Sequence, residues 1–304
     1  MRVHRAKIRT MGRRLTLSLD AVIVAVTADQ PRILTTRARG SELPALPFGP
    51  LDTDLDPTLE LGLRRWVTTQ TGHDLGYVEQ LYTFGDRDRR LGASGTRLLS
   101  IAYLGLVKEA QPSPGAAWLD CYEVLPWEDR RAGVADLVTN VLRPALARWA
   151  GRSAARRHRI DANFGDRRPW DPIRVLERYE LLYEAQLVPE YQRDHAGRPD
   201  AGLQSGTELA YDHRRIVATA LGRLRGKLKY RPVVFELLPE TFTLLRLQGT
   251  VEALTGRRLH KQNFRRLIAL GELLEATGTL DHPPRGRPAE LFRFRREIVR
   301  ARVY

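Results

Sequence analysis

Two sets of side chains in this sequence have types and spacings suited to chemistry. The first is Lys261, Gln262, Asn263, Arg265 and Arg266, a run of cations and amides between Leu259 and Leu267. Arginine and lysine grip guanine edges and phosphates, and glutamine and asparagine match adenine. Arg285 and Arg287 flank a single glycine among prolines and add a second cationic tip. Thr243, at the head of the preceding apolar pattern, is grouped with them as a DNA contact. The second set is Arg37, Arg64, Arg65 and Arg87, guanidinium groups able to hold a phosphate-bearing ligand through paired hydrogen bonds. A solvated surface role is the plain alternative for each arginine.

The elements that must position the first set follow from periodicity. Leu244, Leu247, Val251 and Leu254 are spaced 3, 4 and 3 residues apart, which puts them on one face of a helix over 243–254. Gly256 offers its stop. A second helix is expected over 260–270, with Gly271 just past its end. There Phe264, Leu267 and Ile268 cluster on one side, and Lys261, Gln262, Arg265 and Arg266 fall on the other. Two helices and a short turn read as a helix-turn-helix. Short strands over 272–277 and 290–294, with the basic tip between them, complete a winged helix. A solvated amphipathic helix pair with a charged loop is the bland alternative.

Composition agrees with a polyanionic partner and more than one core. The chain has 304 residues, a formal net charge of +14 and a sequence pI near 10.4. Residues 257–302 hold 12 Lys+Arg against 5 Asp+Glu, so half of the net charge sits in one short stretch. A chain about twice a typical domain in length points to two domains. The single cysteine, Cys121, excludes an internal disulfide and any multi-cysteine metal site. It reads as a small buried hydrophobe. No apolar run approaches the ~20 residues of a membrane helix, and the basic start lacks a signal-peptide cleavage pattern. A cytoplasmic protein is expected.

Along the chain, residues 15–27 alternate and then become continuously apolar, the pattern of a buried strand. Residues 32–37 would return beside it. A helix is expected over 61–69, ending at Gly72, with strands over 77–84, 98–107 and 122–125 and a helix over 134–150. The order predicts an α/β sandwich. The segment from Gly151 is basic and irregular and marks a boundary. Asp171-Pro172 reads as the start of a helix whose apolar face is Val175, Leu176, Tyr179, Leu182 and Tyr183. That helix covers the first domain or makes a dimer contact. Asp212 is placed to cap a helix over 214–228.

Three stretches carry a family resemblance: 235–244 (FELLPETFTL), 261–266 (KQNFRR) and 286–294 (GRPAELFRF). They resemble the C-terminal domain of the Nudix-related transcriptional regulators, and within these the NadQ-type repressors of NAD biosynthesis. The likeness is specific over roughly residues 207–296 and looser before. Upstream, 43–49 (LPALPFG) sits where Nudix domains carry a Leu-Pro-Gly-Gly element. In that family the signature ends Arg-Glu-hydrophobic-x-Glu-Glu-x-Gly, and its glutamates hold divalent metal for diphosphate hydrolysis. Here Arg65 and Gly72 remain, but Trp66, Thr69 and Gln70 stand in place of all three glutamates. Hydrolysis and a metal site are therefore not expected.

The expected fold class is α/β (α+β): a degenerate Nudix-like α/β/α sandwich over 1–155, a helical connection over 156–206 and a C-terminal winged helix over 207–304. The resemblance implies a repressor of NAD-biosynthesis genes that binds an operator of double-stranded DNA with an inverted repeat as a homodimer. It also implies a nucleotide effector, NAD or ADP-ribose and secondarily ATP, with no catalytic cofactor and no membrane partner. A Nudix-type nucleoside-diphosphate hydrolase with an accessory nucleic-acid-binding domain is the alternative. An RNA-binding module is opposed by the lack of aromatic side chains near the basic face.

Overall fold

A computed structural model describes residues 15–38, 40–85, 90–91, 96–166, 169–195, 205–228, 233–271, 273–282 and 287–295. The first strand, β1 (Leu15–Thr27), turns through Ala28 and Asp29, both at positive φ (50° and 58°), into β2 (Gln30–Arg37). Two residues at positive φ match the right-handed twist of the flanking strands. Next come β3 (Pro44–Ala45), β4 (Phe48–Pro50), α1 (Leu59–Thr71) and β5 (Tyr77–Phe84). Strands β6 (Arg90–Leu91), β7 (Thr96–Leu106) and β8 (Ala117–Asp120) complete the sheet, whose central path is β3-β2-β1-β7-β5. β1 and β7 are parallel, from Leu15 opposite Arg97 to Val24 opposite Leu106, and the other pairings are antiparallel.

The alternation in β1 becomes two cores. Leu19, Ala21, Ile23 and Ala25 pack with Leu63 and Val67 of α1, while Val22 and Val24 face the larger cluster. That cluster runs on through the helical connection into the helix-turn-helix, taking in Tyr179, Leu182, Leu221, Leu224, Leu247 and Phe264. α1 is bounded as its caps dictate. The Thr58 hydroxyl accepts from the Leu61 N–H, and Gly72 ends the helix at φ 72°.

Three local expectations are corrected here. Residues 122–125, expected as a strand, form the short helix α2 (Cys121–Val124), because the Asp120 carboxylate accepts from the Tyr122 N–H at 2.7 Å and starts a helical turn. Short apolar runs do not distinguish a buried strand from a buried helix. The helix expected over 134–150 is a wide π turn, Leu137–Leu142, running into α3 (Arg143–Ala150), whose first turn contains a proline. That ring has no N–H for regular helical bonding. After α4 (Ala154–Phe164), Asp171 is not a cap. Its carboxylate accepts from Ile173 N–H at 3.0 Å in a turn, and α5 (Val175–Glu184) begins later.

α6 (Pro189–Asp194) leads to α7 (His213–Lys227), where Asp212 holds the cap position without a side-chain cap bond. β9 (Thr241–Thr243), α8 (Leu244–Thr255), α9 (Lys261–Gly271), β10 (Leu274–Asp281) and β11 (Ala289–Phe294) follow, with a small antiparallel sheet in the order β10-β11-β9. β10 runs on past the Thr277 expected as its end, through an irregularity between Ala276 and Leu280 that contains Gly278 at φ 74°. Among the described residues, no helix is long and apolar enough to cross a membrane.

Candidate nucleic-acid interface and ligand-sensing face

Thr243 is the N-cap of α8, its hydroxyl accepting from the Arg246 N–H at 3.2 Å, and Gly256 closes the helix at φ 67°. The turn to α9 is fixed by Glu252, which the sequence reading passed over. One of its oxygens accepts from Leu259 N–H and Gln248 Nε2, both at 2.8 Å, and the other from Arg258 at 2.8 Å. Burial pushes this carboxyl up, but those three donors outweigh it and hold it below its ordinary value. A glutamate one turn before a helix-ending glycine was the available signal.

α9 turns Phe264 inward and leaves Lys261, Gln262, Asn263, Arg265 and Arg266 exposed. Leu267 departs from expectation. It is 58% exposed, because Phe264 and the half-buried Ile268 already fill the line of contact with the core. Arg266 donates to the Asn263 side-chain oxygen at 3.0 Å, which limits the directions its guanidinium can take. β11 joins the wing to the helix pair through Leu291 opposite Thr243. Arg287 is exposed at the wing, and Arg285 lies outside the described residues.

In the first domain three of the four predicted ligand arginines, Arg37, Arg64 and Arg65, fall on described residues. Arg64 donates to Glu60 at 2.7 and 2.9 Å and to the carbonyls of Leu75 and Gly76. Arg65 grips Asp56 with two bonds of 2.8 Å, which lowers the carboxyl and raises the guanidinium from their ordinary values. Arg37 is exposed at the end of β2, and Arg87 lies outside the described residues.

The residues that replace the signature glutamates have structural partners. The Trp66 indole N–H donates to Pro50 O at 2.9 Å, and Gln70 pairs with the Phe48 backbone through bonds of 2.7 and 3.1 Å. Gly49 lies so close that an added Cβ would meet the Trp66 ring at 2.1 Å. An indole and a carboxamide thus clamp β4 onto α1. These residues do not fit a divalent metal, and among the described residues no three His, Cys, Asp or Glu side chains gather as a metal set.

A family model described as the NrtR DNA-binding winged helix domain matches residues 234–294. Over 87 residues the chain is 36% identical to the ADPR responsive transcriptional repressor NtrR of Acinetobacter baylyi, a stretch covering 29% of this chain and 34% of that relative. NrtR of Shewanella oneidensis, solved in complex with a 27mer DNA, has the same fold. Its TM-score is 0.59 at 21% identity, over 92% of this chain and 93% of that one. A MutT/nudix family protein from Enterococcus faecalis matches with TM-score 0.56 at 16% identity, over 95% of this chain and 90% of its own. Like that Shewanella protein, this chain folds as a Nudix-like α/β domain followed by a C-terminal winged helix. Its residues 234–294 are a winged helix of the NrtR DNA-binding kind.

Proposed function

We propose that this protein is a DNA-binding transcriptional repressor whose Nudix-like domain binds a nucleotide effector and leaves it intact. The observation that carries the reading is the exposed set Lys261, Gln262, Asn263, Arg265 and Arg266 on the second helix of a matched DNA-binding winged helix. A recognition helix presents such side chains to base edges in the major groove. Arg285 and Arg287 would track phosphates or enter the adjacent minor groove. Thr243 would serve chiefly as the cap that aims α8.

ADP-ribose is the leading effector, because the curated relative is described as ADPR responsive. NAD and ATP share its adenosine diphosphate group. Of the arginines proposed for the ligand, Arg37 is exposed, while Arg64 and Arg65 would have to share donors already engaged with Glu60 and Asp56. Residues 1–155 would sense the ligand, 156–206 connect and 207–304 bind DNA. A homodimer on an inverted repeat controlling NAD-biosynthesis genes completes the proposal, since two half-sites multiply affinity and discrimination. Such a regulator would work in the cytoplasm.

Trp66, Thr69 and Gln70 supply no carboxylate for a metal-activated water. Pure protein incubated with Mg²⁺ and ADP-ribose should release no AMP above background by chromatography, and ADP-ribose binding should survive EDTA. Turnover of about 1 s⁻¹ or more would mark an ordinary enzyme and overturn the reading.

A further inference from the structure

The last turn of α8 is capped by residues from outside the helix-turn-helix. Tyr122 donates its hydroxyl hydrogen to Ala253 O at 2.5 Å, Arg225 Nε donates to Leu254 O at 2.9 Å, and the Arg130 N–H donates to Gly256 O at 2.8 Å. A helix end leaves its final carbonyls without internal partners and favours a nearby cation. Two of these three donors belong to the segment that follows the Nudix-like sheet, and the third to α7.

Arg225 is itself fixed by that same segment. It is fully buried, with one nitrogen 2.5 Å from Glu128 Oε2 and another 3.1 Å from Glu128 O. Glu128 also accepts from Arg178 of α5 at 2.5 and 2.8 Å. The Trp170 ring lies 4.8 Å from the Arg178 guanidinium and 5.3 Å from that of Arg225. One carboxylate therefore ties the Nudix-like part to the helical connection and to α7, and through Arg225 to the end of α8.

A second contact sits further up α8. Gly249 faces the β1–β2 turn so closely that an added Cβ would lie 2.2 Å from Asp29 Oδ1 and 3.0 Å from its carboxyl carbon. Arg131 braces this turn, donating to Asp29 O and to Gln30 Oε1, while its other donors hold Asp129 at 2.9 Å.

We propose that this seam is the mechanical link by which ligand occupancy of the Nudix-like domain reaches the DNA-reading helix, with Asp29, Tyr122, Glu128 and Arg225 as positioning residues. The inference rests on the ligand-responsive repressor reading above. α8 is held at its middle by the turn of β1–β2 and at its end by the three donors. α9 is held to α8 in turn by Glu252 and the Leu259 N–H. Packed elements tied at two points move as bodies, so a shift of the β1–β2 hairpin or of residues 122–130 swings α8 and α9 together. A ligand then alters DNA affinity to the extent that it favours one position of the seam.

The test uses the full chain and a fluorescent duplex selected from a randomised pool by the wild-type protein. Dissociation constants are measured with and without saturating ADP-ribose, and their ratio is the coupling. Two variants loosen the seam without touching DNA or ligand residues. Tyr122→Phe removes one hydroxyl and no other volume. Gly249→Leu inserts a good helix former whose Cβ would lie 2.2 Å from Asp29 Oδ1, so the Asp29 carboxyl must leave its place against α8. Wild type should show coupling of about fivefold or more, within the usual allosteric range. Gly249→Leu should bring it to within about twofold of unity and Tyr122→Phe should weaken it, while ADP-ribose affinity measured without DNA stays at the wild-type value. If Gly249→Leu no longer unfolds cooperatively, Tyr122→Phe alone decides. Wild-type coupling in every variant that folds would overturn the link, as would coupling lost only in step with ADP-ribose affinity. If wild type itself shows no coupling to ADP-ribose, the effector reading fails first and the link falls with it.

Discussion

Arginine does two separate jobs in this chain. On α9, Arg265 and Arg266 are exposed and answer to a partner, whereas at the junction Arg178 and Arg225 are sealed inside and answer to Glu128. Arg265→Ala should weaken operator binding by about 1–3 kcal/mol and relax base choice at one position if it reads a guanine. A phosphate contact alone would weaken all sequences equally, and a gel shift against operator and random DNA separates the two. Glu128 makes a prediction about acid. Burial would push its carboxyl up, but the Arg178 and Arg225 charges outweigh that and hold it below its ordinary value of 4.5. A depressed folded value means that the stabilisation is complete above the unfolded value, near 4.5, and is lost as pH falls through the folded one. Glu128→Gln, followed by denaturant unfolding, should cost about 3–5 kcal/mol at neutral pH, because it leaves two buried guanidinium groups without a counter-charge. It should also flatten the acid limb of the stability profile; an unchanged limb would remove Glu128 from the account. The exposed α9 set was legible in the sequence because Lys261, Gln262, Arg265 and Arg266 share one helical face. The Glu128 cluster was not, since its partners lie 50 and 97 positions away and long-range pairing leaves no local period.

Elements were legible where an apolar period and a helix-ending glycine agree. α1 and α8 begin at threonine caps and stop at Gly72 and Gly256, as the residue types require. Readings failed where a single polar residue outranked the apolar pattern, as Asp120 does in turning an expected strand into α2 and Asp171 in making a turn rather than a cap. In the candidate ligand face, the helix expected over 61–69 was legible in position, as α1. The clamp of Trp66 and Gln70 on β4 was not, because it depends on the approach of Gly49 in three dimensions. The wing carries its own prediction. Replacing Arg285 and Arg287 together by alanine should reduce the salt slope of DNA binding by about 1–2 units if both meet phosphates. An unchanged slope in titrations across salt concentration would retire the wing as a DNA contact.

At the scale of the whole molecule, composition pointed to two domains, and the structure shows how they are joined. α7 is largely buried and packs against α5, the sheet and α8, so one apolar cluster spans the Nudix-like domain, the helical connection and the helix-turn-helix. A continuous core has few soft hinges, and a change at one end is felt at the other. That makes ligand-dependent DNA binding the central claim, and one titration tests it most directly. Fluorescence anisotropy of the full chain on its selected operator duplex, with and without saturating ADP-ribose, should give dissociation constants differing by about fivefold or more. Equal constants with and without ADP-ribose, in a protein that still binds its operator, would contradict it.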